Sequence, residues 1–339
     1  MAIQSIVPMP TISVAICTHN PRPDYLSRVL NALKSQTLSR QEWELLVIDN
    51  ASAPPVSKSV DLSWHPQARH IVESQLGITS ARLRAMGEFA GELLVFLDDD
   101  NVVAEDYLQR CSELFAARPD LGAVSGCLMP EYEVPPPEWF APYESWIAVR
   151  RITQSSWSNF LDSRSEPVTA GMCLRRSVAA AHISATLSNP AQRVLDRRGS
   201  SLMGGEDVAI AKTAMKLGCT VGQFAQLRLI HLIPKRRTAP AYLFSLHRQL
   251  SATGHLIGWV DGLGRNPIRP SWRILVRAAY HFVTGNNIRR RLVIEEMRGF
   301  QLARKIARDW TMAEQSKIAP KESGGKPANV RPQDASAGV

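Results

Sequence analysis

Three short apolar runs in this chain end on polar or acidic residues: TISVAICTHN (11–20), ELLVIDN (44–50) and ELLVFLDDD (92–100). Their apolar cores do not alternate with polar residues, and each is shorter than a typical helix. Such runs read as strands buried on both faces, which requires a sheet covered by helices. The intervening segments supply the helices. Leu26, Val29, Leu30 and Leu33 fall at helical spacing within 24–38. GITSARLRAMGEFA (77–90) predicts a second helix, weakened at Gly87. Leu108, Cys111, Leu114 and Phe115 mark a third at 105–117, and ARHIVES (68–74) and LGAVSG (121–126) add strands. The expected fold class is α/β, with a mostly parallel, Rossmann-like central sheet flanked by helices. In open sheets of this kind ligands bind beyond the carboxyl ends of the strands. Thr18, Asp49 and Asp98 to Asp100 fall at those ends.

The alternation breaks after residue 130, where MPEYEVPPPEWFAPYESW (129–146) is dense in proline and aromatic side chains. PVTAGMCLRRSVAAAH (167–182) resumes as a strand running into a helix. MGGEDVAIAKTAMKLGC (203–219) gives a glycine turn, two acids and a helix capped at Gly218. Strand-like residues then lead to His231. Residues 240–310 read as helical, with Val293, Met297, Phe300, Ala303, Ala307 and Trp310 at steps of three and four among many arginines. Residues 313–339 are poor in large apolar side chains and are expected to be a disordered tail.

Charge divides the chain. Residues 1–227 hold 20 Lys and Arg against 24 Asp and Glu, whereas residues 228–339 hold 20 against 7. The basic back third is suited to an anionic partner: lipid, phosphorylated substrate or nucleic acid. Nucleic acid is disfavoured, because no zinc-finger spacing is present and the strand-end acids repel phosphate. No run of 18 apolar residues predicts a membrane span. The start lacks a basic segment before its apolar stretch, so it does not read as a signal peptide. Five scattered cysteines without a Cys-x-x-Cys spacing are expected to be reduced, in a cytoplasmic protein.

Three adjacent carboxylates repel one another, at a cost that rises away from water. A hard divalent cation would use them, since Mg²⁺ needs only one or two carboxylates plus phosphate oxygens. In an extended segment Asp98 and Asp100 would share a side, opposite Asp99. No glycine-rich phosphate loop is present, which leaves metal as a route to phosphate binding; the alternative is a solvated acidic turn. Asp49 suits either a base or sugar contact or a turn. Glu206 and Asp207 open a predicted helix, where an acidic cap and a general base are both open readings. His231 reads as a structural histidine, a third metal ligand or a phosphate contact. Lys235, Arg236 and Arg237 suit a diphosphate or plain solvation.

The stretches VAICTHNPRPDYLSRVLNAL, LLVIDNAS, LGITSARLRAMGEFAGELLVFLDDDN, AGMCLRR and GGEDVAIA, in this order over about residues 10–235, resemble the family 2 glycosyltransferases, which are inverting enzymes with the GT-A fold. The resemblance implies a nucleoside-diphosphate sugar donor, a hydroxyl acceptor that is lipid-linked or a polysaccharide precursor, and Mn²⁺ or Mg²⁺. A UDP sugar is expected first, although no residue selects UDP over GDP or dTDP. It implies Asp207 as base with Glu206 in support. Thr18, Asn20, Asp49, Arg82, Asp98 and Asp99 become donor-binding residues, and Asp98, Asp100 and His231 metal ligands. Trp139, Gly171 and Met172 fall in the acceptor region. The Gln-x-x-Arg-Trp pattern of processive members is absent, which favours transfer of a single sugar. The implied domains are a catalytic unit over 1–235, with a nucleotide-sugar half (about 10–126) and an acceptor half (about 127–235), then a basic helical extension over 236–312. Two other classes remain: a metal-dependent nucleotidyltransferase and a non-catalytic nucleotide-sugar-binding protein. The basic helices are expected to lie on an anionic membrane, on the inner face of the cell membrane, to pack on the catalytic unit, or to form a homodimer.

Overall fold

The computed structural model describes residues 10–160, 162–199, 201–263 and 272–318. In chain order its elements are β1 (Ile12–Thr18), α1 (Pro23–Lys34), β2 (Trp43–Asn50), β3 (Ala68–Glu73), α2 (Ile78–Glu88), β4 (Leu93–Leu97), β5 (Asn101–Val103), α3 (Tyr107–Ala117), β6 (Leu121–Tyr132), β7 (Ser156–Ser158), β8 (Cys173–Arg175), α4 (Arg176–Ser188), α5 (Glu206–Lys216), β9 (Thr220–Ile233), α6 (Pro240–Gly258), α7 (Trp272–Thr284) and α8 (Asn287–Ile318).

The strands form one sheet in the order β3-β2-β1-β4-β8-β6-β9-β5, with β7 added on β9. β3, β2, β1 and β4 run parallel. β1 is buried along its whole length, as a two-sided strand must be. Ile12, Val14 and Ile16 face α1 and α3, while Ala15 and Cys17 face α2, α4 and α5. The expectation of a mostly parallel sheet needs correction beyond β4. β8 is antiparallel to both β4 and β6, and β5 and β7 are antiparallel to β9. Parallel neighbours need a crossover, usually a helix. The α3 crossover returns β6 parallel to β4, but the described residues between 133 and 172 contain no α-helix, and β8 enters the gap between them reversed.

Gly218 (φ 79°) ends α5 as expected, with its N–H on the Met215 carbonyl at 3.0 Å and the Cys219 N–H on Ala214 at 3.0 Å. The cysteines are free thiols, four of them buried. Of the expected tail, residues 313–318 continue α8, and the remainder lies outside the described residues. No described helix is long and apolar enough to cross a membrane.

The apolar stripe of α8 is spent inside the chain. Ala303 and Ala307 pack with Ala252 and Leu256 of α6 and with Met203, and Trp310 meets Trp259 edge-on at 5.3 Å. Gly299 permits the approach: a Cβ there would lie 2.3 Å from the Arg248 carbonyl. Beside it Glu295, 0% exposed, accepts from Arg248 at 2.7 Å and Arg298 at 2.7 Å and is ion-paired with Arg291 at 3.0 Å. Burial pushes the Glu295 carboxyl up, but Arg248 and Arg298 more than offset this and hold it below the usual carboxylate range.

Removing one partner of a fully buried ion pair costs about 3–5 kcal/mol because it strands the other charge. Here the arginines reach solvent, so Glu295→Ala should destabilise by only about 1–3 kcal/mol at pH 7. A depressed folded-state pKa adds stability above the unfolded value and loses it as pH falls through the folded one. Thermal melts at pH 7 and pH 3 should therefore show the gap between wild type and variant shrinking in acid.

Candidate active site

The carboxyl ends of β1 and β4, the starts of α2 and α5, and parts of β9 and α6 enclose a cleft of about 650 Å³. It brings together eight of the residues singled out from sequence: Thr18, Arg82, Asp98, Asp99, Asp100, Glu206, Asp207 and His231. β4 stops at Leu97, and the chain then turns, with the Asn101 N–H on the Asp98 carbonyl at 3.1 Å. The alternation assumed for an extended segment therefore does not apply. The three carboxylates point to three different partners.

Asp98 accepts from Arg82 at 3.3 Å, and the other arm of Arg82 donates to Glu206 at 2.8 Å. Burial pulls the Arg82 pKa down, but Glu206 and Asp98 more than restore it, so the guanidinium stays charged. Burial also raises the Glu206 carboxyl, against the pull of Arg82. Glu206 Oε1 is buried without a hydrogen-bond partner among the described residues. Asp99 accepts the Thr18 hydroxyl, and burial together with Asp100 pushes its pKa up to about 6.

Asp100 is the most enclosed of the three acids. It accepts from the Asn101 side chain at 3.0 Å and is ion-paired with Arg237 at 3.2 Å, with His231 Nε2 at 3.5 Å. Arg237 also donates to His231 Nε2 at 2.9 Å. Burial works to raise Asp100, but His231 and Arg237 outweigh it and hold the carboxyl below its usual value.

Asp207 sits in the first turn of α5, where the helix N-terminus favours an anion. One of its oxygens accepts from the following N–H, Val208, at 2.9 Å. Across the cleft Arg150 is anchored on the Ser145 carbonyl at 2.7 Å. Glu166 is raised chiefly by burial and next by Asp207.

Five candidates do not line the cleft. Both Asp49 oxygens are taken by its own loop, from Ser52 N–H at 2.9 Å and Val56 N–H at 2.8 Å. The Asn20 side-chain carbonyl accepts from Ala53 N–H at 2.9 Å. Trp139 packs edge-on against Phe140 at 5.8 Å. Met172 is in the core. Gly171 (φ 73°) has its carbonyl on the Tyr107 hydroxyl, and a Cβ would lie 2.5 Å from Leu229. Its neighbours Thr169 and Ala170 line the cleft instead. Sequence reasoning missed Arg150 and Arg197, each the first of an adjacent arginine pair outside any recognised motif, and named Arg237 only as one of three adjacent basic residues.

The donor atoms do not assemble a metal site. No group of three His, Cys, Asp or Glu able to hold an ion occurs among the described residues. Asp98 faces Arg82, and the atoms of Asp100 and His231 that a cation would share already face Arg237.

Residues 13–175 match the family model "Glycosyl transferase family 2". Glycosyltransferase AglE of Haloferax volcanii is 29% identical over 105 residues, covering 30% of this chain and 34% of that protein. Validoxylamine A glucosyltransferase of Streptomyces hygroscopicus subsp. jinggangensis is 29% identical over 170 residues, covering 48% and 39%. The chain thus spans well under half of either relative's length. Among solved structures, S. aureus TarS 1-349 in complex with UDP-GlcNAc gives a TM-score of 0.48 at 10% identity, covering 89% of this chain and 92% of that one.

Asp99 should titrate near pH 6 in carboxyl-carbon NMR. Thr18→Val should move it higher, because the hydroxyl donates to the ionised form. An acid raised in the folded state costs stability once pH exceeds its unfolded pKa, and the full cost is reached above the folded one. Asp99→Asn should therefore stabilise the protein more at pH 7 than at pH 4 in paired melts.

Proposed function

We propose, for a chain whose residues 13–175 are a family 2 glycosyltransferase domain, that the cleft binds a nucleoside-diphosphate sugar and passes its sugar to an acceptor hydroxyl with inversion. The observation that carries this reading is the convergence of Thr18, the three acids, Arg82, Glu206 and Asp207 from β1, β4, α2 and α5 on one cleft. In this reading the catalytic unit is residues 1–235, its nucleotide half (about 10–126) carrying Asp98 to Asp100 and its acceptor half (about 127–235) carrying Asp207.

Asp207 takes the proton of the acceptor hydroxyl as that oxygen bonds to the anomeric carbon. The bond from that carbon to the diphosphate oxygen breaks, and its electron pair leaves with the nucleoside diphosphate. One displacement from the opposite face inverts the centre. Asp207 is suited to this role because it sits in the first turn of a helix, lines the cleft, and lies within the same constellation as the donor acids. Glu206, fixed by Arg82, sets the start of α5 and so positions Asp207 as the next residue. The arrangement of Asp98, Asp100 and His231 does not fit a divalent ion, and no step here depends on one.

A second reading concerns where the acceptor is met. The α8 stripe is covered, but α7 shows Val276, Tyr280 and Val283 at 60%, 63% and 73% exposure, spaced along one helix face. Exposed Arg289 and Arg290 follow at once, and α7 holds no acid. An apolar face beside clustered arginines suits an anionic lipid surface, which agrees with a lipid-linked acceptor. The protein should sediment with phosphatidylglycerol vesicles, less so at high salt, and Val276→Asp with Tyr280→Asp should abolish this. Sedimentation unchanged in the double variant would sink the membrane reading.

A panel of nucleotide sugars tests the chemistry, with water as the acceptor. Wild type should release a nucleoside diphosphate from one of them, and the sugar released should be inverted by NMR. Asp207→Asn should slow release about 10²–10⁴-fold while leaving nucleotide binding within about twofold. Pyrophosphate release from a nucleoside triphosphate would mark a nucleotidyltransferase instead. Binding without any release would mark a non-catalytic binder.

A further inference from the structure

We propose that Arg237 supplies the positive charge that meets the donor's diphosphate, so that nucleotide binding in this cleft is independent of divalent metal. The proposal rests on the nucleotide-sugar reading above and departs from the metal dependence implied by the sequence resemblance.

Geometry carries it. The residues assigned to a metal by resemblance, Asp100 and His231, are already joined by a cation of the protein's own. Arg237 is 3.2 Å from Asp100 Oδ2 through one terminal nitrogen and donates to His231 Nε2 at 2.9 Å through the other. A divalent ion at this point would need those same two atoms. It would also have to approach a fixed guanidinium while Asp98 is engaged by Arg82. A diphosphate-bound Mg²⁺ needs only one or two protein carboxylates, but here Asp98 and Asp100 each already face a guanidinium.

The same contacts orient Arg237 for an anion. A guanidinium has five N–H donors in a rigid fork. His231 engages one of them and Asp100 pairs with the guanidinium at 3.2 Å, and the Arg237 side chain keeps 23% exposure and lines the cleft. The remaining donors are thus available to oxygens in the cleft. Asp100 and His231 act here as positioning residues. They hold in place a side chain that sits on a single 3₁₀ turn, Lys235–Thr238. Planar bidentate contact with phosphate is the interaction for which arginine is best shaped. Arg197 lines the same cleft and is exposed to it. Its side chain makes one hydrogen bond among the described residues, to the Met203 carbonyl at 3.4 Å. Arg82, by contrast, is spent on Asp98 and Glu206.

Calorimetric titration of the full chain with UDP, GDP and dTDP, in EDTA and then in Mn²⁺, tests this directly. One nucleoside diphosphate should bind in EDTA with a Kd within about threefold of its value in Mn²⁺. Arg237→Ala should weaken that binding in EDTA by about tenfold or more, which is the loss expected for one charge-assisted contact. The matching nucleoside monophosphate should lose less. Manganese EPR gives a second readout: wild type without nucleotide should leave the free-ion signal intact, while Arg237→Ala, with Asp100 and His231 released, should deplete it. Thermal melts check the fold, and Arg237→Lys, which keeps the charge without the fork, should fall between wild type and Ala. Nucleotide binding that requires Mn²⁺ in wild type would overturn the proposal and leave the glycosyltransferase reading standing. Equal affinity of wild type and Arg237→Ala in EDTA would also overturn it. Failure of every nucleoside diphosphate to bind under either condition would remove both.

Discussion

The cleft depends on one buried cation. Arg82 is 8% exposed and holds Glu206, 10% exposed, on one side and Asp98 on the other. Its place follows from the packing of α2, whose Ala81, Ala85 and Met86 are buried against the sheet and carry Arg82 inward with them. The guanidinium thereby lies between the end of β4 and the start of α5, with the Phe96 ring 5.7 Å away. Charges this enclosed are tolerated only when paired. Parting β4 from α5 would leave Arg82 or Glu206 stranded, so the pair fixes the distance between the donor acids and the proposed base. It also resolves the crowding of three adjacent carboxylates. With Asp98 committed to Arg82, Asp99 turns to the Thr18 hydroxyl and Asp100 to His231 and Arg237. Each like charge is answered in a different direction.

Much of this was legible from residue patterns. β1, β2 and β4 announce themselves because a strand buried on both faces must be continuously apolar, and their ends mark the edge where polar residues gather. The pairing of Glu206 and Asp207 with a helix start was equally readable, since glycines precede it and an apolar period follows. What remained hidden is tertiary. β5, β7 and β8 are three residues each, too short to show a period; β5 follows the turn after β4, and the antiparallel entry of β7 and β8 depends on the path of the excursion between 133 and 172. Asp98 and Asp100 were expected to share a face because the segment was taken as extended; the turn at Leu97 removes that rule. Asp49 lies at the right strand end, yet its own loop consumes both oxygens, a competition that no spacing reveals. Trp139 and Met172 went the same way, their apolar bulk being used in packing.

The basic back third shows why charge runs mislead when read alone. Its arginines suggested a surface, but Arg248, Arg291 and Arg298 converge on the buried Glu295, and the stripe of α8 closes on α6. That packing has a consequence at the cleft. α6 presents Tyr242, Leu246, Leu250 and Ile257 to the cleft. Gly205, which turns the chain into α5 at φ 115°, would bring a Cβ to 3.3 Å from Ile257. The helices after 235 are therefore not an appendage to a finished site. They supply apolar side chains to the lining of the cleft that also holds Asp98 to Asp100 and Asp207. Catalytic chemistry drawn from the sheet edge and acceptor fit drawn from the helical extension would then be separable. The acids are fixed by Arg82 and Arg237, while the α6 wall is free to differ in shape without disturbing them.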